Sequence, residues 1–113
     1  MKIQIDISMG EYIDRYSILV IKQDEGLDVA TELKQYKSLD LTHPGFDFYL
    51  GIMLAINQQL WYLEDIKRKD VERFSKEESN TAFLITQIND LRHETKKRID
   101  IYFGSEITEK KSH

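Results

Sequence analysis

The chain has 113 residues, of which 32% are charged and 41% are hydrophobic, and its formal net charge is −4. A chain of this length can bury one core, and we expect residues 1–113 to form a single helical domain. The negative charge argues against general binding of DNA or RNA, because an anionic ligand must then be held by a local cluster of cations. The lack of cysteine excludes disulfides, thiolate metal sites and cysteine catalysis. One proline and five glycines favour long helices, so the predicted class is all-α.

The first eight residues are predicted to be extended. Ile3, Ile5 and Ile7 alternate with polar residues, which is typical of a short extended segment laid against the helices. The segment lacks the continuous apolar core of a signal peptide, and no apolar run in the sequence reaches membrane-spanning length. We therefore expect no membrane partner.

The first helix has a clear start signal. Ser8 with Glu11 three residues later fits a capping box, which satisfies backbone N–H groups at a helix N-terminus. The apolar period predicts a helix from about residue 9 to residue 23. Gly26 predicts a kink or break near the end of this helix, and Asp28 is placed to cap a second helical piece.

Three further helices, separated by loops, are predicted after the first. The second piece is predicted to extend through Leu39, and the sequence from Thr42 to Gly45 predicts a loop because it combines a rigid proline with a permissive glycine. A long helix with 3-4 apolar spacing should follow and end in the charged run 67–70. A second capping box at Ser75 opens the last helix, and Gly104 is expected to end it as a C-cap.

The predicted helices leave apolar surface uncovered. Two long helices joined by a short connection pack most easily as an antiparallel pair, with the kinked first helix laid across them. Apolar residues near the helix ends would then pack between subunits of a symmetric oligomer: Phe46, Phe48, Phe83, Ile101 and Phe103. The polar tail, residues 105–113, is expected to lie outside this core.

The start of the first helix combines features of an anion-binding site. Gly10 lets other groups approach a helix N-terminus, where free N–H groups favour negative charge. Tyr12, Arg15 and Lys22 follow at spacings that put an aromatic ring and cations near one helix face, a combination that suits a base with phosphates. The alternative reading is a buried apolar stripe with Arg15 and Lys22 as solvated cations. Periodicity alone leaves both open.

A second candidate cluster lies on the last helix. Asn89, Arg92 and Lys96 line one edge of this helix in an otherwise acidic protein. Arginine can fork onto a phosphate, and asparagine can pair with an adenine edge. Cations also gather near helix C-termini to complement the helix dipole, and that reading stays open. Trp61 has the same ambiguity between core packing and stacking on a ligand.

No catalytic arrangement stands out in the sequence. The three histidines are scattered, and His93 lacks a second ligand at a metal-binding helical spacing. No glycine-rich phosphate loop follows a strand, and no serine occupies a nucleophile elbow. We expect no catalytic residues, no metal site, no cofactor and no enzymatic activity.

Three segments of the sequence contain Gly10 to Arg15 with Ile18, Leu19 and Lys22; Asn57 with Leu60 to Asp65; and Asn89, Asp90, Arg92, Lys96, Ile99 and Gly104 to Glu106. Together these segments resemble a widespread family of small helical bacterial and phage proteins. The match covers nearly the whole chain, and within this family it looks most like the phage anti-CBASS cyclic-oligonucleotide sponges, the second anti-CBASS family. The resemblance implies a compact helical homohexamer in the cytoplasm of the infected bacterial host. It would sequester cyclic di- and trinucleotide messengers without cleaving them and so block CBASS antiviral signalling.

The resemblance also implies two kinds of binding site. Cyclic dinucleotides would lie between pairs of subunits, on residues that match the base-stacking aromatic and its neighbours: Tyr12, Lys22, Gly10 and Arg15. Cyclic trinucleotides would lie where three subunits meet, on Arg92, Asn89 and Lys96. The alternatives are a structural or adaptor helical oligomer, and a sugar-nucleotide binding protein or enzyme.

Overall fold

The computed structural model describes residues 1–38, 42–69 and 72–104, and these residues form four α-helices and no strand. The helices are α1 (Met9–Asp24), α2 (Ala30–Lys37), α3 (Pro44–Lys69) and α4 (Lys76–Phe103). The all-α prediction is therefore confirmed for this part of the chain. The predictions for Leu39, Asp70 and the tail 105–113 lie outside the described residues.

Most predicted helix ends are confirmed by local geometry. The Ser8 hydroxyl accepts a hydrogen bond from the Glu11 backbone N–H at 3.1 Å, and the Ser75 hydroxyl accepts one from the Glu78 backbone N–H at 3.1 Å. Gly104 ends α4 with a φ of +64°, in the left-handed region that glycine adopts without strain.

The break between α1 and α2 is confirmed, but its cap is not the predicted one. Gly26 has a φ of +86°, directly after the end of α1. The N-cap of α2 is Val29, which makes no side-chain cap hydrogen bond, so the prediction for Asp28 is wrong. Val29 is buried with Leu19 and Leu33, and we infer that this packing sets where α2 begins.

The predicted loop at residues 42–45 is too long. Helix α3 already begins at Pro44, because the first helical position needs no N–H donor and suits the fixed φ of proline. Gly45 is buried in the first turn of α3, where a Cβ would collide with the ring of Tyr102 in the last turn of α4. The glycine therefore serves close packing of the two helices at this end.

Three clusters of buried side chains form the core. The largest joins α1, α3 and α4 through Tyr12, Ile13, Phe46, Met53 and Ile99. The second joins α3 and α4 through Ile56, Leu60, Leu63 and Ile85. The third attaches α2 to α1 through Leu19, Val29 and Leu33. Each large apolar side chain buried in this way contributes roughly 1.5–3 kcal/mol, so packing fixes how the helices meet.

Some predicted contacts differ from those observed. Ile3 and Ile5 are exposed, so only Ile7 of the alternating segment packs against the helices, since a short segment without a neighbouring strand gains little from lying flat. Phe46 is buried in the core of the described chain, so its predicted place between subunits is wrong. Other apolar side chains predicted there are exposed: Phe48, Phe83 and Ile101. None of the described helices combines the length and the apolarity needed to cross a bilayer.

Candidate functional site

The buried carboxylate of Asp14 joins α1, α3 and α4. Asp14 of α1 is 1% exposed. The Arg92 guanidinium of α4 donates from Nε and Nη2 to the two Asp14 oxygens, at 2.9 and 2.5 Å. The Asn57 amide of α3 donates to Asp14 Oδ1 at 2.9 Å and to the Ser17 hydroxyl at 2.8 Å. Bidentate pairs of this kind fix geometry as well as energy, so Arg92 is held in a defined orientation.

Lys96 belongs to the same network. Its side chain is 4% exposed, and its ammonium lies 2.6 Å from Glu11 Oε2 and 3.5 Å from Asp14 Oδ2. Glu11 also accepts a hydrogen bond from Arg15 Nε at 2.6 Å, and this bond is the main cause of the raised pKa of Arg15. Lys96 therefore acts as an internal counter-ion for Glu11 and Asp14.

The anion at the start of α1 is supplied by the protein itself. The Gly10 backbone N–H donates to the carboxylate of Asp100 at 2.7 Å, and Asp100 is fully buried. A Cβ at residue 10 would collide with the backbone carbonyl oxygen of Lys96. Gly10 thus lets the N-terminus of α1 approach α4, and an acidic side chain near a helix N-terminus is stabilised by the dipole.

A cleft of about 510 Å³, which we call the Trp61 cleft, lies among α1, α3 and α4. Its volume falls within the range of roughly 300–1,000 Å³ that is usual for small-molecule sites. Polar and aromatic side chains from α3 and α4 line it: Asn57, Trp61, Glu64, Arg68, Asn89 and Arg92. Isoleucines of α1 complete its apolar wall. An aromatic ring, two guanidinium groups, two amides and the Glu64 carboxylate thus converge on one surface.

A second concave surface lies between α1 and α2. This surface, the Lys22 groove, has a volume of about 260 Å³ and is lined by Arg15, Lys22, Glu32 and Tyr36 together with apolar side chains of α1. Ile18 lines both the groove and the Trp61 cleft. Both surfaces therefore adjoin α1. The cations of the Lys22 groove come from α1, whereas those of the Trp61 cleft come from α3 and α4.

Tyr12 is part of the core. Its side chain is 7% exposed, and its ring stacks on Tyr36 with centroids 5.1 Å apart and an interplanar angle of 21°. Its hydroxyl donates to the Tyr36 backbone carbonyl at 2.5 Å. Burial, followed by the nearby Tyr16 and Tyr36 phenols, raises the pKa of Tyr12 to about 12. Tyr36 thus lies between the ring of Tyr12 and the Lys22 groove.

The structure brings together some of the residues predicted for each site. Arg15 and Lys22 share the Lys22 groove, while Gly10 packs against α4 and Tyr12 packs behind Tyr36. Of the residues predicted on α4, two share the Trp61 cleft, namely Asn89 and Arg92, whereas Lys96 is buried against Glu11.

Several residues of the cleft and its support were not predicted as site residues from the sequence, and Trp61 was left open between core packing and stacking on a ligand. Trp61, Glu64 and Arg68 are spaced i, i+3 and i+7, so their shared helix face was a signal that could have placed them in one site. Asp14 and Asn57 are polar residues within apolar helix faces, which is a weaker signal. Among the residues that the structure describes, no group of three or more histidine, aspartate and glutamate side chains is placed to hold a metal ion.

Comparison with known proteins adds no relative: no protein-family model, curated protein or solved structure matches the chain. The described residues form a small all-α protein in which the Trp61 cleft and the Lys22 groove adjoin α1.

Proposed function

We propose that this protein binds and sequesters cyclic di- and trinucleotide messengers without cleaving them, and so blocks host CBASS signalling. One observation carries the proposal: two concave surfaces each hold a pair of residues expected to bind one ligand class. Arg15 and Lys22 lie on the Lys22 groove, and Asn89 and Arg92 lie on the Trp61 cleft.

The Trp61 cleft has the chemistry to hold one base and one phosphate. A base stacked on an aromatic side chain gains roughly 1–3 kcal/mol, and Trp61 offers such a ring. Arg68 and Arg92 can donate to phosphate oxygens, and Asn89 can pair with a base edge. A cyclic trinucleotide repeats this unit three times, so three protomers that meet around it would match its symmetry.

The Lys22 groove suits the smaller ligand. Arg15 and Lys22 supply two cations beside an aromatic wall. A cyclic dinucleotide has two halves, each with one base and one phosphate, so a pair of subunits related by a twofold axis would match it.

The proposal includes a homohexamer in which a kinked element, α1 with α2, crosses an antiparallel pair, α3 with α4. The contact of Gly45 in the first turn of α3 with Tyr102 in the last turn of α4 supports the antiparallel arrangement. Large apolar side chains are exposed on both long helices, including Phe48, Phe83 and Ile101. Their exposure leaves these side chains available for subunit contacts.

Binding without turnover needs stacking surfaces, cations and a rigid scaffold. Arg92 is one of these cations, and its bidentate bond to buried Asp14 fixes its orientation before a ligand arrives. Preorganised groups lose less entropy when a ligand binds, which favours tight retention. The network beneath the cleft thus serves sequestration.

A charge reversal at the edge of the cleft tests the proposal. Arg68 lines the Trp61 cleft and is exposed, whereas its exposed neighbour Lys67 is not among the residues that line it. We expect Arg68→Glu to weaken binding of cyclic tri-adenosine monophosphate about tenfold or more, because hydrogen bonds to charged groups contribute roughly 1.5–3 kcal/mol. Lys67→Glu is the matched control and should change affinity little.

Isothermal titration calorimetry measures the affinity of both variants for cyclic di- and tri-adenosine monophosphate. The proposal expects selective loss of the trinucleotide in Arg68→Glu. Equal weakening of trinucleotide binding in both variants would indicate general electrostatic attraction and would contradict a specific site.

A further inference from the structure

The aromatic surface that the Lys22 groove presents belongs to Tyr36. Tyr36 is half-buried near the end of α2 and lines the groove together with Arg15 and Lys22. Tyr12 does not line the groove and is 7% exposed. A base that enters the groove therefore meets Tyr36 first.

Tyr36 is held firmly enough to act as a platform. Tyr12 stacks on its ring, with 5.1 Å between the ring centroids, and the ring of Tyr16 meets it edge-on at 6.1 Å. The Tyr12 hydroxyl also donates to the Tyr36 carbonyl, which ties the last turn of α2 to α1. A ring fixed on one side by another ring loses little freedom when a third ring stacks on it.

The cations of the groove line it together with this ring. The Tyr36 phenol contributes, after Glu11, to the raised pKa of Arg15, so the guanidinium and the phenol are neighbours. Lys22 lies about two helical turns beyond Arg15 on α1, so the two residues share one helix face, and it lines the same surface. The aromatic ring of Tyr36 and the positive charges of Arg15 and Lys22 thus line one groove.

We propose that Tyr36 is the base-stacking residue of the Lys22 groove and that Tyr12 is a positioning residue behind it. The inference rests on the proposed function, because it takes a cyclic dinucleotide as the ligand. It reassigns the stacking role that the resemblance gives to Tyr12. The phosphate of the stacked nucleotide faces Arg15 and Lys22.

The competing account keeps Tyr12 as the platform and requires α2 to move. Among the described helices, α2 packs against α1, and Gly26 lies between them in a left-handed conformation. If α2 swung away, the ring of Tyr36 would leave Tyr12, and a base could take its place. The two accounts make opposite predictions for the removal of the Tyr36 ring.

The experiment compares Tyr36→Leu with Tyr36→Phe, and uses Tyr62→Leu as the control. Leucine keeps apolar bulk at residue 36 but removes the aromatic face, whereas phenylalanine keeps the face. Tyr62 is an exposed tyrosine on α3 that does not line the groove. Circular dichroism and thermal melting first establish that each variant is folded, and titration with cyclic di-adenosine monophosphate then gives its affinity.

We expect Tyr36→Leu to weaken dinucleotide binding by about 5- to 150-fold, with Tyr36→Phe and Tyr62→Leu within about twofold of the parent protein. Tyr36→Leu should leave binding of cyclic tri-adenosine monophosphate unchanged. Unchanged or tighter dinucleotide binding by folded Tyr36→Leu would overturn the inference, and tighter binding would identify Tyr12 as the platform. In that case the proposed function would stand.

A measurement on the unmodified protein covers the case in which Tyr36→Leu does not fold. In the complex with cyclic di-adenosine monophosphate, nuclear Overhauser effects between adenine protons and the Tyr36 ring are expected. Contacts to the Tyr12 ring in place of Tyr36 would overturn the inference alone. Failure of the parent protein to bind either cyclic nucleotide would overturn the proposed function and, with it, the inference.

Discussion

The Asp14→Asn substitution probes the buried carboxylate that joins α1, α3 and α4. Asparagine keeps the size of the side chain and one oxygen acceptor, but it removes the charge that faces Arg92 and Lys96. Loss of one partner from a buried ion pair costs roughly 3–5 kcal/mol, because the other charge is left uncompensated. The Arg92 side chain is 25% exposed and Lys96 keeps Glu11 at 2.6 Å, so we expect the lower end, about 3 kcal/mol.

Urea unfolding at fixed protein concentration, followed by the fluorescence of Trp61 and by circular dichroism, measures this loss. The matched control is Asp24→Asn, a change of the same kind at the exposed last residue of α1, which should alter the free energy of unfolding by less than about 0.5 kcal/mol. A loss of less than about 1 kcal/mol for Asp14→Asn would refute the reasoning from uncompensated charge. Adding Arg92→Met to Asp14→Asn should restore part of the stability, since both charges are then removed.

Three further substitutions test other parts of the account. Gly10→Ala should lower the melting temperature, although alanine usually favours a helix, because its Cβ would meet the backbone carbonyl of Lys96; a higher melting temperature would contradict this close approach. Tyr12→Phe should flatten the loss of stability above pH 10: the folded-state pKa of about 12 exceeds the ordinary value of 10.0, so ionisation favours the unfolded chain as pH rises from about 10 to about 12. The denaturation midpoints of both proteins are measured across that range. An equal fall in both would contradict the raised pKa of Tyr12. Arg92→Glu should abolish trinucleotide binding and spare dinucleotide binding while lowering stability, because the new carboxylate faces Asp14; equal weakening of both ligands in a folded protein would favour one shared pocket.

Local chemistry was sufficient to predict where most helices begin and end. A serine three residues before a glutamate, or a glycine after an apolar stripe, acts within one helical turn, so Ser8, Ser75 and Gly104 were identifiable from the sequence. Pro44 was misassigned to a loop because proline suits both a turn and the first turn of a helix.

The candidate site depends on contacts that local patterns do not specify. Asp14 and Arg92 are 78 residues apart in the sequence, and their pairing depends on which turn of α4 packs against α1. Tyr12 stacks on Tyr36 because the chain reverses at Gly26 and brings α2 back onto α1. The same sequence features, an aromatic with nearby cations, are compatible with a buried or an exposed ring, so only the packed structure distinguishes them.

The measurement that tests the central claim most directly is recovery of ligand after heating. The purified protein is incubated with cyclic di- and tri-adenosine monophosphate and with sugar nucleotides, separated from free ligand, heated, and the released molecules are identified by mass spectrometry. Sequestration without cleavage predicts retention and release of both cyclic nucleotides intact. Altered products would indicate an enzyme. Retention of neither cyclic nucleotide would contradict the account and favour a structural or adaptor role.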